Sequence, residues 1–269
     1  MKNLRFLKLL KNWLIKLKKK FIIEFIIIFI LGGFTSLSLP PFNFLIINFF
    51  TFSIFFIFLF KRLNQQNSKK TFFFYGWFFG FGYFLTNLYW ITISLTFDKN
   101  FSHLIPVALL LIPTFLSLFY SLFTLLFYFY NPKNILSAFF LYSFLFGLTE
   151  FLRGTILTGF PWNLIVYSFS EKLSFISIIS VIGTYSLNLI SISLFTAPAL
   201  YICRKSKKEI FICILLLLLP ILFYTNGAIQ KKKFLNSPVE DNPFKIRVIS
   251  SNISLDRFYQ NIETEIVIK

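Results

Sequence analysis

The chain has 269 residues, 57% of them hydrophobic and 14% charged, with a mean hydropathy of +0.74 and a formal net charge of +17. Its apolar positions come in long blocks rather than at the spacing of a soluble core, which excludes an ordinary water-soluble domain and gives a membrane composition. The charge does not mark a nucleic-acid binder, because the basic residues sit at the borders of apolar runs and form no separate basic domain.

In chain order, residues 1–20 read as a basic amphipathic helix lying on the membrane surface, with Trp13 at the interface. Seven spanning runs follow: Phe21 to Leu39, Phe42 to Phe60, Thr71 to Leu95, Leu104 to Tyr130, Ile135 to Phe151, Leu173 to Cys203 and Ile210 to Asn226. A crossing needs about 20 residues, with a lower limit of about 17. The predicted fold class is an all-α polytopic membrane bundle of about seven transmembrane helices over residues 21–226. Pro40 and Pro41 separate the first two runs and predict a hairpin turn. In the third run Gly76, Gly80 and Gly82 are spaced for close approach of another helix, and Tyr89 and Trp90 suit an interfacial belt. Pro106, Pro113 and Pro198 predict kinks. Residues 227–243 turn polar and read as a linker. Within 244–269, Phe244, Ile246 and Val248 alternate as a short strand, and Leu255, Phe258, Tyr259, Ile262 and Ile266 lie on one helical face. One strand and one helix cannot bury a core. This segment therefore reads as the start of an α/β domain.

The basic residues fix an orientation. Lys2 to Lys20, Lys61, Arg62, Lys69, Lys70, Lys133, Arg204, Lys205, Lys207 and Lys208 fall before the first span and in alternate loops, and the opposite short loops carry only Lys99, Arg153 and Lys172. The positive-inside rule then puts the N-terminus in the cytoplasm and the C-terminal segment outside.

Few residues outside one stretch invite chemistry. Cys203 and Cys213 flank a cytoplasmic loop, where a disulfide is not expected, and no histidine stands near them for a metal. His103, the single histidine, has no acid beside it in sequence. The 42 phenylalanines accompany heavy use of Ile, Lys and Asn, the bias of an A+T-rich genome, so most rings are expected to be lipid-facing filler. No metal site and no cofactor is expected.

The exception is Glu150 to Phe169, EFLRGTILTGFPWNLIVYSF. Glu150 and Arg153 are three residues apart and pair on one helix face, at the membrane boundary or toward the bundle interior, since each charge costs about 2.5–3.5 kcal/mol mid-bilayer. Gly159, Phe160, Pro161, Trp162 and Asn163 then break the helix. Taken alone, this is either a capped helix end with a Trp anchor at the interface or a place where substrate is met.

The same stretch resembles the signature of the apolipoprotein N-acyltransferase family, which runs E-W-L-R-G, T-G-F-P-W-N and G-Y-S in its membrane part. Phe151 stands where Trp is usual and Val166 where Gly is usual. SLSLPPFNF is similar to the family's first hairpin turn, GWFFGFGYFLTNLYWITISL to its third span and ISVIGTYSLNLI to its sixth. IRVISSNISLDRFY resembles the opening strand of its nitrilase-like domain, with Ile249 to Ser254 in place of V-Q-G-N-I-P and Tyr259 in place of Trp.

The resemblance implies a bacterial inner-membrane enzyme that transfers an acyl chain from a phospholipid donor to the N-terminal amine of a diacylglyceryl-cysteine lipoprotein acceptor. The acyl group passes through a thioester on a cysteine of a Glu-Lys-Cys set in the nitrilase-like domain. That set has no match in this chain: Glu263 and Glu265 lack the W-P-E context, and Cys203 and Cys213 lie on the wrong side of the membrane. No catalytic residue is assigned. The expectation is a truncated or split form, inactive alone, with the rest of the domain supplied by a separate polypeptide. The alternative is a non-catalytic lipid- or lipoprotein-binding membrane protein. Substrate-binding candidates are Glu150, Arg153, Gly159, Phe160, Pro161, Trp162, Asn163 and Tyr167, with Arg153 for support or headgroup contact and Phe160 and Trp162 for acyl-chain or loop docking.

Overall fold

The computed structural model describes residues 21–238 and Arg247, apart from residues 64, 66, 67, 98 and 158. The expected surface helix of residues 1–20 and the strand and helix of 244–269 lie outside the described residues, Arg247 excepted. Helices α1 (Phe21–Ser36), α2 (Ile46–Leu63), α3 (Lys69–Asn87), α4 (Ile105–Tyr130), α5 (Ile135–Thr155), α6 (Leu173–Ile176), α7 (Ile179–Ile182), α8 (Thr184–Ile202) and α9 (Lys207–Leu235) form the bundle. Three 3₁₀ segments, Tyr89–Thr96, Lys99–Leu104 and Ile165–Phe169, lie between them. Among the described residues there is no strand. Five helices, α2, α4, α5, α8 and α9, are long and apolar enough to cross a membrane, and a sixth results if α3 and the 3₁₀ segment after it count as one bent span. These helices make a multi-pass membrane bundle.

Local sequence sets the helix ends. Ser68 and Asn134 accept from the backbone N–H groups of Thr71 and Ser137 at the starts of α3 and α5, and Ser206 with Glu209 forms a capping box on α9. Asn131 ends α4 in the left-handed conformation. Between α1 and α2 the chain turns at Pro40-Pro41, closed by Phe44 N–H donating to the Leu37 carbonyl at 2.9 Å. At the far end of the same pair Arg62 is paired with Glu24, which also accepts from the Tyr75 hydroxyl at 2.8 Å. The two helices are therefore antiparallel, and the basic residues closing α2 and opening α3 gather at that end.

Several expectations are corrected. Span three bends by 46° after Asn87, so only Lys69–Asn87 is straight helix. The expected continuous span Leu173 to Cys203 is broken into α6, α7 and α8. Gly183, at φ +80°, separates the last two, and the Ser177 and Ser180 hydroxyls bond carbonyls three residues back, competing with the helical ladder. Pro106 sits in the first turn of α4, where its missing N–H costs nothing and no kink is required. Helix α9 runs past Asn226 to Leu235, so the first part of 227–243 is helical.

A core set of the phenylalanines is not lipid-facing filler. Phe52, Phe55, Phe79, Phe123 and Phe146 are wholly buried and interlock, with Phe55 stacked on Phe79 at 4.2 Å between centroids and Phe123 packed on Phe146 at 4.8 Å. With no hydrophobic drive between helices in lipid, this packing holds the bundle together. The glycines of α3 allow it. A Cβ on Gly76 would lie 2.1 Å from the Tyr120 carbonyl oxygen of α4, and one on Gly82 would lie 2.0 Å from the Phe29 carbonyl of α1. The small-residue stripe is thus packed on both sides and forms no groove.

Candidate functional site

The site is built where α5 ends. Ile156 is extended and Leu157 has φ +53°, so the helix stops at Thr155. Gly159 then turns at φ +75°, and a Cβ there would lie 2.5 Å from the Gly154 carbonyl oxygen, so the turn requires glycine. Phe160 N–H donates back to the Arg153 carbonyl at 2.8 Å, and Asn163 turns the chain again at φ +60°.

Arg153 organises this loop from inside. Its Nε and Nη2 donate to the two Glu150 carboxylate oxygens at 3.0 and 2.8 Å, a bidentate pair whose side chains are fully enclosed. Its Nη1 donates to the carbonyls of Phe160 and Trp162 at 2.6 and 2.9 Å. The guanidinium lies 5.2 Å over the Phe84 ring of α3. A buried charge needs partners on every side, and here the partners are the carboxylate, a ring face and the two loop carbonyls.

Two further bonds fix the loop: the Tyr83 hydroxyl donates to the Asn163 carbonyl at 2.6 Å, and Val166 N–H donates to Asn188 Oδ1 at 2.9 Å. Tyr83→Phe leaves the Asn163 carbonyl without its donor, at an expected cost of about 1–3 kcal/mol. A lower melting temperature in detergent, with Tyr142→Phe as a control whose hydroxyl has no hydrogen-bond partner among the described residues, checks this.

Against this loop lies a cleft of about 600 Å³, at the end of the bundle away from the Glu24–Arg62 pair. Three chain segments wall it: the hairpin turn with Leu39, Pro40 and Pro41; the end of α3 with Asn87, Tyr89 and Trp90; and the loop with Pro161, Trp162, Asn163 and Tyr167. Trp90 and Trp162 meet edge to face across it at 6.1 Å. Both remain substantially exposed, at 43% and 58%. Its walls carry no charged side chain. Burial pushes the Tyr167 hydroxyl above its ordinary range, which keeps it a neutral hydrogen-bonding group. The volume falls within the roughly 300–1,000 Å³ usual for small-molecule sites. Such walls can enclose and orient an apolar chain, but they hold no nucleophile with a base beside it.

Of the residues singled out in the sequence, Pro161, Trp162, Asn163 and Tyr167 line the cleft, whereas Glu150, Arg153, Gly159 and Phe160 do not. Glu150 and Arg153 stand behind the wall, closed to solvent. Sequence reasoning did not place Leu39, Pro40, Pro41, Asn87, Tyr89 or Trp90 in the site. The Pro-Pro pair and the Tyr89-Trp90 pair were visible signals, read as a turn and an interfacial belt. His103 lies exposed in the segment Lys99–Leu104, and among the described residues no group of His, Cys, Asp or Glu is placed to hold a metal.

Residues 31–198 match the apolipoprotein N-acyltransferase N-terminal domain. The chain belongs to the apolipoprotein N-acyltransferase family. Proteins named apolipoprotein N-acyltransferase are similar to it in Rhodopseudomonas palustris, at 36% identity over 183 residues covering 66% of this chain and 33% of that protein. The Brucella melitensis protein is 29% identical over 246 residues, covering 87% of this chain and 45% of its own length. The Rickettsia typhi protein is 33% identical over 230 residues, covering 85% and 44%. The chain thus spans about a third to under half the length of these curated relatives. Every wall of the cleft lies inside the matched N-acyltransferase domain, which runs from α1 to Pro198 of α8.

Proposed function

We propose that this chain serves phospholipid-dependent N-acylation of lipoproteins, and that the cleft beside Trp90 and Trp162 takes the acyl chain of a membrane-anchored substrate. The observation that carries the reading is the cleft itself: about 600 Å³, uncharged, and walled by three segments that resemble the family's hairpin turn, third span and signature. In this reading α1 is a seventh crossing, the basic ends face the cytoplasm of a bacterial inner membrane, and the cleft opens at the extracytoplasmic face.

The reaction is covalent transfer in two steps. A thiolate attacks the ester carbonyl of the phospholipid, the lysophospholipid leaves with a proton, and a thioester forms. The lipoprotein amine then attacks the thioester, expelling the thiolate and giving its proton to a base. The Glu-Lys-Cys set for these steps belongs to the nitrilase-like domain of the family, on the same or a separate polypeptide, and no catalytic role falls to residues described here. Their part is positioning: the Glu150–Arg153 pair fixes the loop, Trp162 and Trp90 flank the chain, and Phe160 packs behind them.

The test is the mass of a lipoprotein N-terminal peptide from cells depleted of their own N-acyltransferase and expressing this chain together with a nitrilase-like domain. One added acyl mass is expected. The non-catalytic alternative predicts diacylglyceryl lipoprotein co-purifying with the chain and no added mass. In the active assembly, Trp162→Ala is expected to lower kcat/KM for the phospholipid about tenfold, or ~1.4 kcal/mol. Unchanged acylation removes Trp162 from the substrate path.

A further inference from the structure

A second cleft, of about 690 Å³, opens at the same end of the bundle between α6 and the last turns of α9. It exists because two backbones cross closely: a Cβ on Gly227 would lie 2.0 Å from the Ser174 carbonyl oxygen. Phe175 and Tyr224 meet above that crossing at 5.6 Å between ring centroids and supply apolar walls, with Leu173 and Phe234 exposed at 76% and 80%. Lys172 and Lys231 stand on the rim with one carboxylate, Glu171, which leaves the lining net positive. Lys232 and Lys233 follow on α9.

This cluster runs against the charge pattern of the rest of the molecule. Basic residues otherwise collect at the opposite ends of the helices, and at this end, within residues 21–238 as described, only Lys99 and the enclosed Arg153 accompany Lys172 and Lys231 to Lys233. Topology therefore does not account for the lysines. Long cationic side chains above an apolar slot at a membrane border match an amphiphile with an anionic head and a hydrocarbon tail.

We propose that the α6–α9 cleft binds one anionic phospholipid, with its phosphate between Lys172 and Lys231 and an acyl chain against Phe175 and Tyr224. The site is separate from the cleft beside Trp162 and does not depend on the acyl-transfer reading.

Thermal melting of the full chain in detergent tests it, with phosphatidylglycerol, phosphatidylcholine or inorganic phosphate added. Phosphatidylglycerol is expected to raise the melting temperature at least twice as much as phosphatidylcholine, and phosphate to leave it unchanged. In the double variant Lys172→Gln, Lys231→Gln the two lipids are expected to act alike. Equal stabilisation of the wild type by both lipids, stabilisation by phosphate equal to that by phosphatidylglycerol, or a preference retained in the double variant overturns the proposal. Should the variant fail to fold, a phosphatidylglycerol carrying a photoreactive headgroup decides on the wild type. Label confined to residues 171–177 and 224–235 supports the site, and label elsewhere overturns it.

Discussion

Arg153→Met is expected to destabilise the bundle by about 3–5 kcal/mol, the usual consequence of removing one partner of a buried ion pair. Glu150 loses its counter-charge in a fully enclosed site, and the carbonyls of Phe160 and Trp162 lose their donor together. The double variant Glu150→Leu, Arg153→Met removes both charges, so it is expected to be more stable than the single variant, the signature of a coupled pair. It does not restore the loop, because the two carbonyls still lack Nη1. The outcome is therefore split: the double variant recovers melting temperature in detergent but not the position of Trp162, which the fluorescence difference between each protein and its Trp162→Phe counterpart reads. A double variant no more stable than Arg153→Met contradicts the account of a desolvated pair.

Gly76→Leu is the second large effect. Its Cβ alone would lie 2.1 Å from the Tyr120 carbonyl oxygen and 2.6 Å from the carbonyl carbon, both backbone atoms that no side-chain rotation relieves. Helices α3 and α4 must separate, which opens the stacks around Tyr120 and Phe79. Overpacking usually costs about 1–3 kcal/mol, and contact with backbone puts this site at or above the top of that range. By contrast, Gly33→Ala meets the Thr86 methyl at 3.5 Å and the Gly82 carbonyl oxygen at 3.9 Å, both ordinary contacts, and is expected to be tolerated. Folded yield in detergent, compared for the two variants, checks the difference. Equal yields remove the close α3–α4 approach from the basis of the fold.

Much of this was legible before any coordinates. The Pro40-Pro41 turn follows from a local physical cause and stands where that cause puts it, and most apolar blocks are helices, although the third is bent, the block at Leu173 is broken, and α5 stops at Thr155, ahead of the expected break at Gly159. Other features depend on partners distant in sequence. The bend after Asn87 has no proline or glycine at the break and reads as one span by hydropathy. Local polarity of residues 227–235 suggested a linker, but Gln and Lys are good helix formers and no breaker follows Gly227 until the helix ends. The cleft shows the same division. Trp162 and Asn163 could be picked from the loop sequence, yet Pro40 and Trp90 join them only because the α1–α2 turn and the end of α3 come to the same end of the bundle. The role of Arg153 also needed three dimensions: spacing gave its pairing with Glu150, whereas its bonds to Phe160 and Trp162 come from the fold of the loop back over the helix end.

The central claim is that the cleft beside Trp90 and Trp162 holds a substrate acyl chain. The most direct measurement is photolabelling of the protein in bilayers with a phosphatidylethanolamine whose reactive group sits near the end of one acyl chain, followed by peptide mapping. The account predicts label concentrated on the segments containing Pro40, Trp90 and Trp162, and its loss from them in Trp162→Ala. Label spread evenly over the lipid-facing surfaces of α4 and α9, with none enriched at those three segments, would contradict it.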